Sequence, residues 1–200
     1  MSFRVSRIAA ALALALATTP AAAQQFSESY QFLEAVRSGD GAKVTEILRE
    51  SNNLIINTKD RSTGEAALHI VARQNNATYL RFLLQKKANP NVQDSRGNTP
   101  LMIAVATGFF EGVSILVTYK ANVNLPNASG ETPLIRAVQL RNADIVRALL
   151  DAGADPDRAD LLAGMSARDY AADDKRSPAI AKLLADAPKI DRSAISGPRL

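Results

Sequence analysis

Residues 97–109 read GNTPLMIAVATGF. Gly97 opens the stretch, Thr99 stands before Pro100, and apolar residues follow at helical spacing until Gly108. A threonine hydroxyl can accept a hydrogen bond from an unpaired N–H in a first helical turn. Proline suits the first helical position, where its missing N–H would have had no partner. The stretch thus predicts a short helix with a built-in start and a glycine stop. Residues 130–142, GETPLIRAVQLRN, and residues 64–76, GEAALHIVARQNN, have the same layout. Gly64, Gly97, Gly130 and Gly164 are 33, 33 and 34 residues apart. A fixed period of this length is the mark of a stacked repeat.

The pattern continues inside each period. Leu68, Leu101 and Leu134 share one position, and Leu84, Val117 and Leu150 follow sixteen residues later. Phe32 and Leu48 have the same separation upstream, and Leu183-Leu184 fall where the pattern expects them after Gly164. Ala35, Ala104, Ala137 and Ala171 share a position at which a small side chain lets neighbouring helices approach closely. A second helix in each unit is marked by Val113, Leu116 and Val117, matched by Ile145, Val146, Leu149 and Leu150. Neither helix can bury its apolar stripe alone, so the units must lean on one another.

These residues resemble the ankyrin-repeat family. The matches are Thr99-Pro100-Leu101, Thr132-Pro133-Leu134 and Ala67-Leu68-His69. The unit ends also match, at Ala88-Asn89-Pro90-Asn91, Ala121-Asn122-Val123-Asn124 and Gly153-Ala154-Asp155-Pro156-Asp157. The resemblance implies an all-α solenoid of about five helix-turn-helix units, at about 28–60, 61–93, 94–126, 127–160 and 161–187, within a domain spanning 24–187. It also implies that Gly39, Asn75, Gly108 and Arg141, which end the first helices, turn left-handed. Arginine does this at a cost of about 1 kcal/mol. The last unit carries Arg168 and Asp169 where leucine and histidine are expected, which predicts a capping repeat. Residues 188–200 lack periodicity and are expected to form a flexible tail.

The N-terminus follows a different pattern. Arg4 and Arg7 precede an apolar run from Ile8 to Ala17, followed by Ala21-Ala22-Ala23. This is the layout of a secretory signal peptide over residues 1–23, with cleavage expected after Ala23. The run is shorter than the roughly 20 residues a membrane-spanning helix needs. The style is bacterial, so a periplasmic or secreted mature protein is expected, with no membrane association after cleavage. The chain has no cysteine, so packing alone must hold it in an oxidising compartment. Its net charge of +4 falls to +2 once Arg4 and Arg7 are removed.

The inventory of reactive side chains is short. His69, the only histidine, could serve as a general base or metal ligand, but it occupies a family position whose imidazole bonds neighbouring backbone. One histidine and no cysteine argue against a tight zinc site. Asp151, Asp155, Asp157 and Asp160 could form a weak calcium site, although the glycine and terminal glutamate of an EF-hand loop are missing. Gly97 to Gly108 lacks the lysine of a phosphate loop. The sequence therefore predicts neither an enzyme nor a cofactor. Phe110 is expected in the core, and Phe109 nearer the surface as a possible anchor for a partner.

The resemblance implies a partner surface formed by hairpin tips and first helices. Its candidate residues are Glu65, Arg73, Gln74, Ser95, Arg96, Asn98, Thr107, Glu131, Gln139 and Leu140. No continuous basic stripe runs among them, which argues against a nucleic-acid partner. The expected function is a monomeric, non-catalytic module that binds another protein in the periplasm. The alternative is an accessory or chaperone-like factor for a periplasmic enzyme.

Overall fold

The computed structural model describes residues 21–189. The expected signal peptide lies outside the described residues except for residues 21–23, and the expected tail lies outside them except for 188 and 189. Among the described residues there are ten helices in five pairs. The first helices are α1 (Ala21–Ser38), α3 (Ala67–Arg73), α5 (Pro100–Ala106), α7 (Pro133–Gln139) and α9 (Ala167–Asp173). The second helices are α2 (Gly41–Glu50), α4 (Ala77–Gln85), α6 (Phe110–Thr118), α8 (Ala143–Asp151) and α10 (Pro178–Asp186). None is long and apolar enough to cross a membrane.

Six of the described helices, α2, α4, α5, α7, α8 and α9, start at a side-chain cap. Thr99 Oγ1 accepts from the N–H of Met102 and Thr132 Oγ1 from that of Ile135, each at 3.2 Å. Asn76 and Asn142 cap α4 and α8 in the same way. Gly39, Asn75, Gly108 and Arg141 all have positive φ, as their position requires. Lys87 (φ 72°) and Lys120 (φ 65°) do so at the ends of second helices, where Gly153 stands one unit later. The sequence reading missed these two lysines.

The first helices stack in order, α1 on α3, α3 on α5, α5 on α7 and α7 on α9, while α4, α6, α8 and α10 form the second layer. One continuous core runs through the array. Leu68, Leu101 and Leu134 are fully buried within it, as are Leu80, Leu116 and Leu149 from the second layer. The alanines at positions 35, 104, 137 and 171 are also buried between first helices. Their small side chains allow the close approach that the sequence anticipates.

The two adjacent phenylalanines correct an expectation. Phe109, not Phe110, is the buried one: Phe109 is 8% exposed and Phe110 49%. Phe109 is the N-cap residue of α6, and its ring folds back over Gly112. A Cβ at Gly112 would sit 2.1 Å from the Phe109 ring, so glycine makes the room. Phe110, at the first helical position, points outward beside Asp144, Arg147, Ala148 and Asp151.

A ladder of side chains joins the unit ends. Asn57 Oδ1 accepts from the N–H of Asn89, Asn91 Oδ1 from that of Asn122, and Asn124 Oδ1 from that of Asp155, at 2.7–2.8 Å. The acceptors recur every 33 or 34 residues, so one rung joins each of the first three units to the next. The last unit is closed by Arg168. Its guanidinium pairs with Asp157 at 2.7 Å and donates to the carbonyls of Leu184 and Ala187. A polar group thus satisfies C-terminal carbonyls of α10. This fits the capping role predicted for the unit.

Candidate partner-binding surface

Each hairpin between units is built around one acidic or amide side chain. Asp60 Oδ1 accepts from the N–H groups of Ser62 and Thr63, and Asp94 Oδ1 from those of Arg96 and Asn98. Asn127 Oδ1 accepts from the N–H groups of Ser129 and Glu131, and Asp160 Oδ1 from those of Leu162, Ala163 and Gly164. A short side-chain acceptor mimics a backbone turn, which is why Asp and Asn serve here. The Ser62 hydroxyl and then the Arg37 guanidinium hold the Asp60 carboxyl well below the usual carboxylate range. Burial opposes ionisation of Asp94, but the Asn98 side chain and the backbone N–H donors still lower its pKa. Asp160 is lowered first by the Tyr170 hydroxyl, which donates to its Oδ2 at 2.6 Å.

The hairpins are also tied to one another. The N–H of Ser95 donates to the Thr63 carbonyl, that of Ala128 to Arg96, and that of Leu161 to Ser129, at 2.9–3.0 Å. The glycines at the tips permit this approach. A Cβ at Gly97 would lie 2.6 Å from the Ala128 nitrogen, and φ there is +77°. Four hairpins thus form one hydrogen-bonded row.

His69 links a first helix to the next hairpin. It is fully buried. Its Nδ1 accepts from the Ala66 N–H at 3.1 Å, and its Nε2 bonds the Asn98 carbonyl at 2.9 Å. With an acceptor opposite Nε2, that nitrogen carries the proton and the ring is neutral. Burial pushes its pKa down, against the pull of Asp94 and Glu65. The side chain therefore braces two units and is not open to substrate. In the last unit Asp169 takes the same place and accepts from the Ser166 N–H and hydroxyl.

Six of the ten sequence-predicted residues come together. Arg73, Ser95, Arg96, Asn98 and Glu131 line a groove of 530 Å3 beside the second and third hairpins. Glu65 joins Arg73, Ser95 and Arg96 around an adjoining groove of 380 Å3. Glu65 pairs with Arg73. Glu131 accepts from Asn127 at 3.1 Å, with Arg136 3.8 Å away. Asn98 donates to Asp94 and accepts from Asn127, so it serves the hairpins as well as the groove. The Arg96 guanidinium is exposed and bonds none of the described residues.

The other four lie elsewhere. Gln74, Thr107, Gln139 and Leu140 sit at the C-terminal ends of α3, α5 and α7, away from the hairpins. Gln74 donates to the Arg37 carbonyl and Thr107 to the carbonyls of Ile103 and Ala104. Leu140 is 44% exposed. The groove also contains Ile103 and Arg136, which share one repeat position and which the sequence reading did not select. Their common register, one residue before the buried alanines at 104 and 137, was the available signal.

The acidic cluster has other work. Asp157 holds Arg168, Asp160 holds its hairpin, and Asp155 Oδ1 accepts from the Asp157 N–H. Among the described residues no group of three or more His, Cys, Asp or Glu side chains is placed to hold a metal ion.

Paired short helices, hairpins in a row and a groove beside them define a helical-repeat binding scaffold. A family model of ankyrin repeats (3 copies) matches residues 32–127, 68–160 and 121–194, and the chain belongs to the ankyrin-repeat family. Ankyrin repeats indicate a protein–protein interaction module. Among curated relatives, the nuclear factor NF-kappa-B p110 subunit of Drosophila melanogaster is 41% identical over 51 residues, 26% of this chain and 5% of that protein. The neurogenic locus notch homolog protein 1 of Danio rerio is 41% identical over 73 residues, 36% of this chain and 3% of that protein. The neurogenic locus notch homolog protein 4 of Homo sapiens is 46% identical over 55 residues, 28% of this chain and 3% of that protein. The chain spans only a few per cent of the length of these relatives.

Proposed function

We propose that the protein is a non-catalytic interaction module, exported to the periplasm, which binds another protein along its hairpins and first helices. The observation that carries this reading is the groove around Arg96, whose walls belong to backbone-bonded hairpins. Such a surface binds with little ordering of its own, and the entropy saved appears as affinity. The address rests on Arg4, Arg7, the apolar run after them and Ala21-Ala22-Ala23. A pull-down from periplasmic extract, with Arg96→Glu and Leu140→Ser as separate controls, tests the surface. Proteins recovered by the wild type should be lost with Arg96→Glu. Equal recovery by the wild type and both variants would refute it. N-terminal sequencing of the secreted chain should begin at Gln24, and an intact Met1 would refute export by cleavage.

A further inference from the structure

The row of hairpin tips changes character along its length. Thr63, Arg96, Ser129 and Leu162 occupy one tip position in successive units, and Ser62, Ser95, Ala128 and Leu161 the position before it. The end nearest α1 is cationic and exposed, with Lys59 and Arg61 on the first hairpin and Arg96 on the second. The carboxylates nearby are engaged: Asp60 by Arg37, Glu65 by Arg73, and Asp94 by its own turn. The far end is apolar. Leu161 is 76% exposed and Leu162 84%, two adjacent leucines both open to solvent. These two leucines stand at the tip, where a turn needs no apolar residue: Asp160 takes the N–H groups of Leu162, Ala163 and Gly164, and the Ser129 carbonyl takes that of Leu161.

Resting on the interaction-module reading above, we infer that the tips receive an extended segment of a partner protein that is acidic at one end and apolar at the other. A carboxylate of that segment meets Arg96, and a bulky apolar side chain covers Leu161 and Leu162. Arg96 and Leu162 are two units apart. Packed helices are about 8–10 Å apart, so the two anchors are about 16–20 Å apart. An extended chain rises about 3.3 Å per residue. The carboxylate and the apolar anchor therefore lie about five or six residues apart in the partner. A guanidinium suits the acidic end because its planar fork can take a carboxylate through two parallel hydrogen bonds.

The probe is a phage-displayed library of random twelve-residue peptides, selected on the immobilised protein. Enriched peptides should carry Asp or Glu about five or six residues from Leu, Phe, Ile or Trp. Arg96→Glu and the double variant Leu161→Ser/Leu162→Ser should each weaken synthetic copies of them at least about tenfold. All these side chains are exposed, so urea midpoints should match the wild type and show that both variants fold. Enriched peptides without the acid–apolar pair, or with binding unchanged by either variant, would overturn the inference. So would self-association that disappears with the leucine variant, because the tip would then belong to a second copy. If the pull-down recovers a partner whose binding ignores the two leucines, the interaction module stands and this partner chemistry fails.

Discussion

Acid should loosen the junction between the second and third units, and His69 should be the cause. The ring is buried and neutral, with Nδ1 facing the Ala66 N–H and Nε2 on the Asn98 carbonyl. Protonating Nδ1 would set two donors against each other without solvent. The folded pKa accordingly lies below 6.5, chiefly through burial. Between that value and 6.5 the unfolded chain binds a proton that the folded chain refuses, so stability falls as the pH falls. Each pH unit below 6.5 over which the folded ring stays neutral removes up to about 1.4 kcal/mol of stability. Asp60, Asp94, Asp160, Asp169 and Asp174 have lowered pKa values. Their contributions are present above the unfolded carboxylate value of about 3.9 and are lost only below it, so they leave this window to the histidine. Urea unfolding followed by circular dichroism across the window provides the assay. His69→Gln should be less stable at neutral pH by about 1–3 kcal/mol, and nearly flat between pH 6.5 and 5.5. A flat wild type, or a variant that keeps the wild-type slope, would refute the reasoning.

Leu101→Ala and Leu134→Ala should each lower unfolding free energy by about 2–5 kcal/mol in urea titrations, because both side chains are fully buried. Lys120→Gly should stabilise by about 1 kcal/mol, since it removes a left-handed lysine from the end of α6. Arg141→Gly relieves the same strain but breaks a pair between Arg141 and Asp174 at 2.6 Å, so thermal melts should show a gain that grows when salt screens the pair. Gly97→Ala should destabilise far more than Gly164→Ala in urea titrations. Both glycines have positive φ, but only at Gly97 would the new methyl collide with the next hairpin.

The sequence displayed most of the fold because the fold repeats a local pattern. Thr99-Pro100 and Thr132-Pro133 mark helix starts, and Gly108 and Asn75 mark helix ends, in chemistry that acts within a few residues. The 33-residue period then gave the stacking. Phe109 and Phe110 could not be told apart in this way, because the choice depends on a ring turning back onto Gly112 after the chain reverses. The hairpin acceptors Asp60, Asp94, Asn127 and Asp160 recur with the same period, yet they read locally as ordinary polar turn residues. Asp157 and Asp160 looked like possible cation ligands because Arg168 and Tyr170, which engage them, lie 11 and 10 residues further along the chain. The candidate site was legible where position within the unit decides it, as for Ser95 and Arg96. It was not legible for Arg136, whose place in the groove depends on the neighbouring hairpin.

Site-specific photo-crosslinking in living cells addresses partner binding at the hairpin row most directly. A benzophenone side chain at Ser95 lies on the row, and one at Arg147 lies on the other layer, on the exposed face of α8. A discrete protein adduct from position 95, absent from position 147 and lost on adding Arg96→Glu, is the expected result. Adducts of equal yield from both positions, or an adduct from position 147 alone, would contradict it.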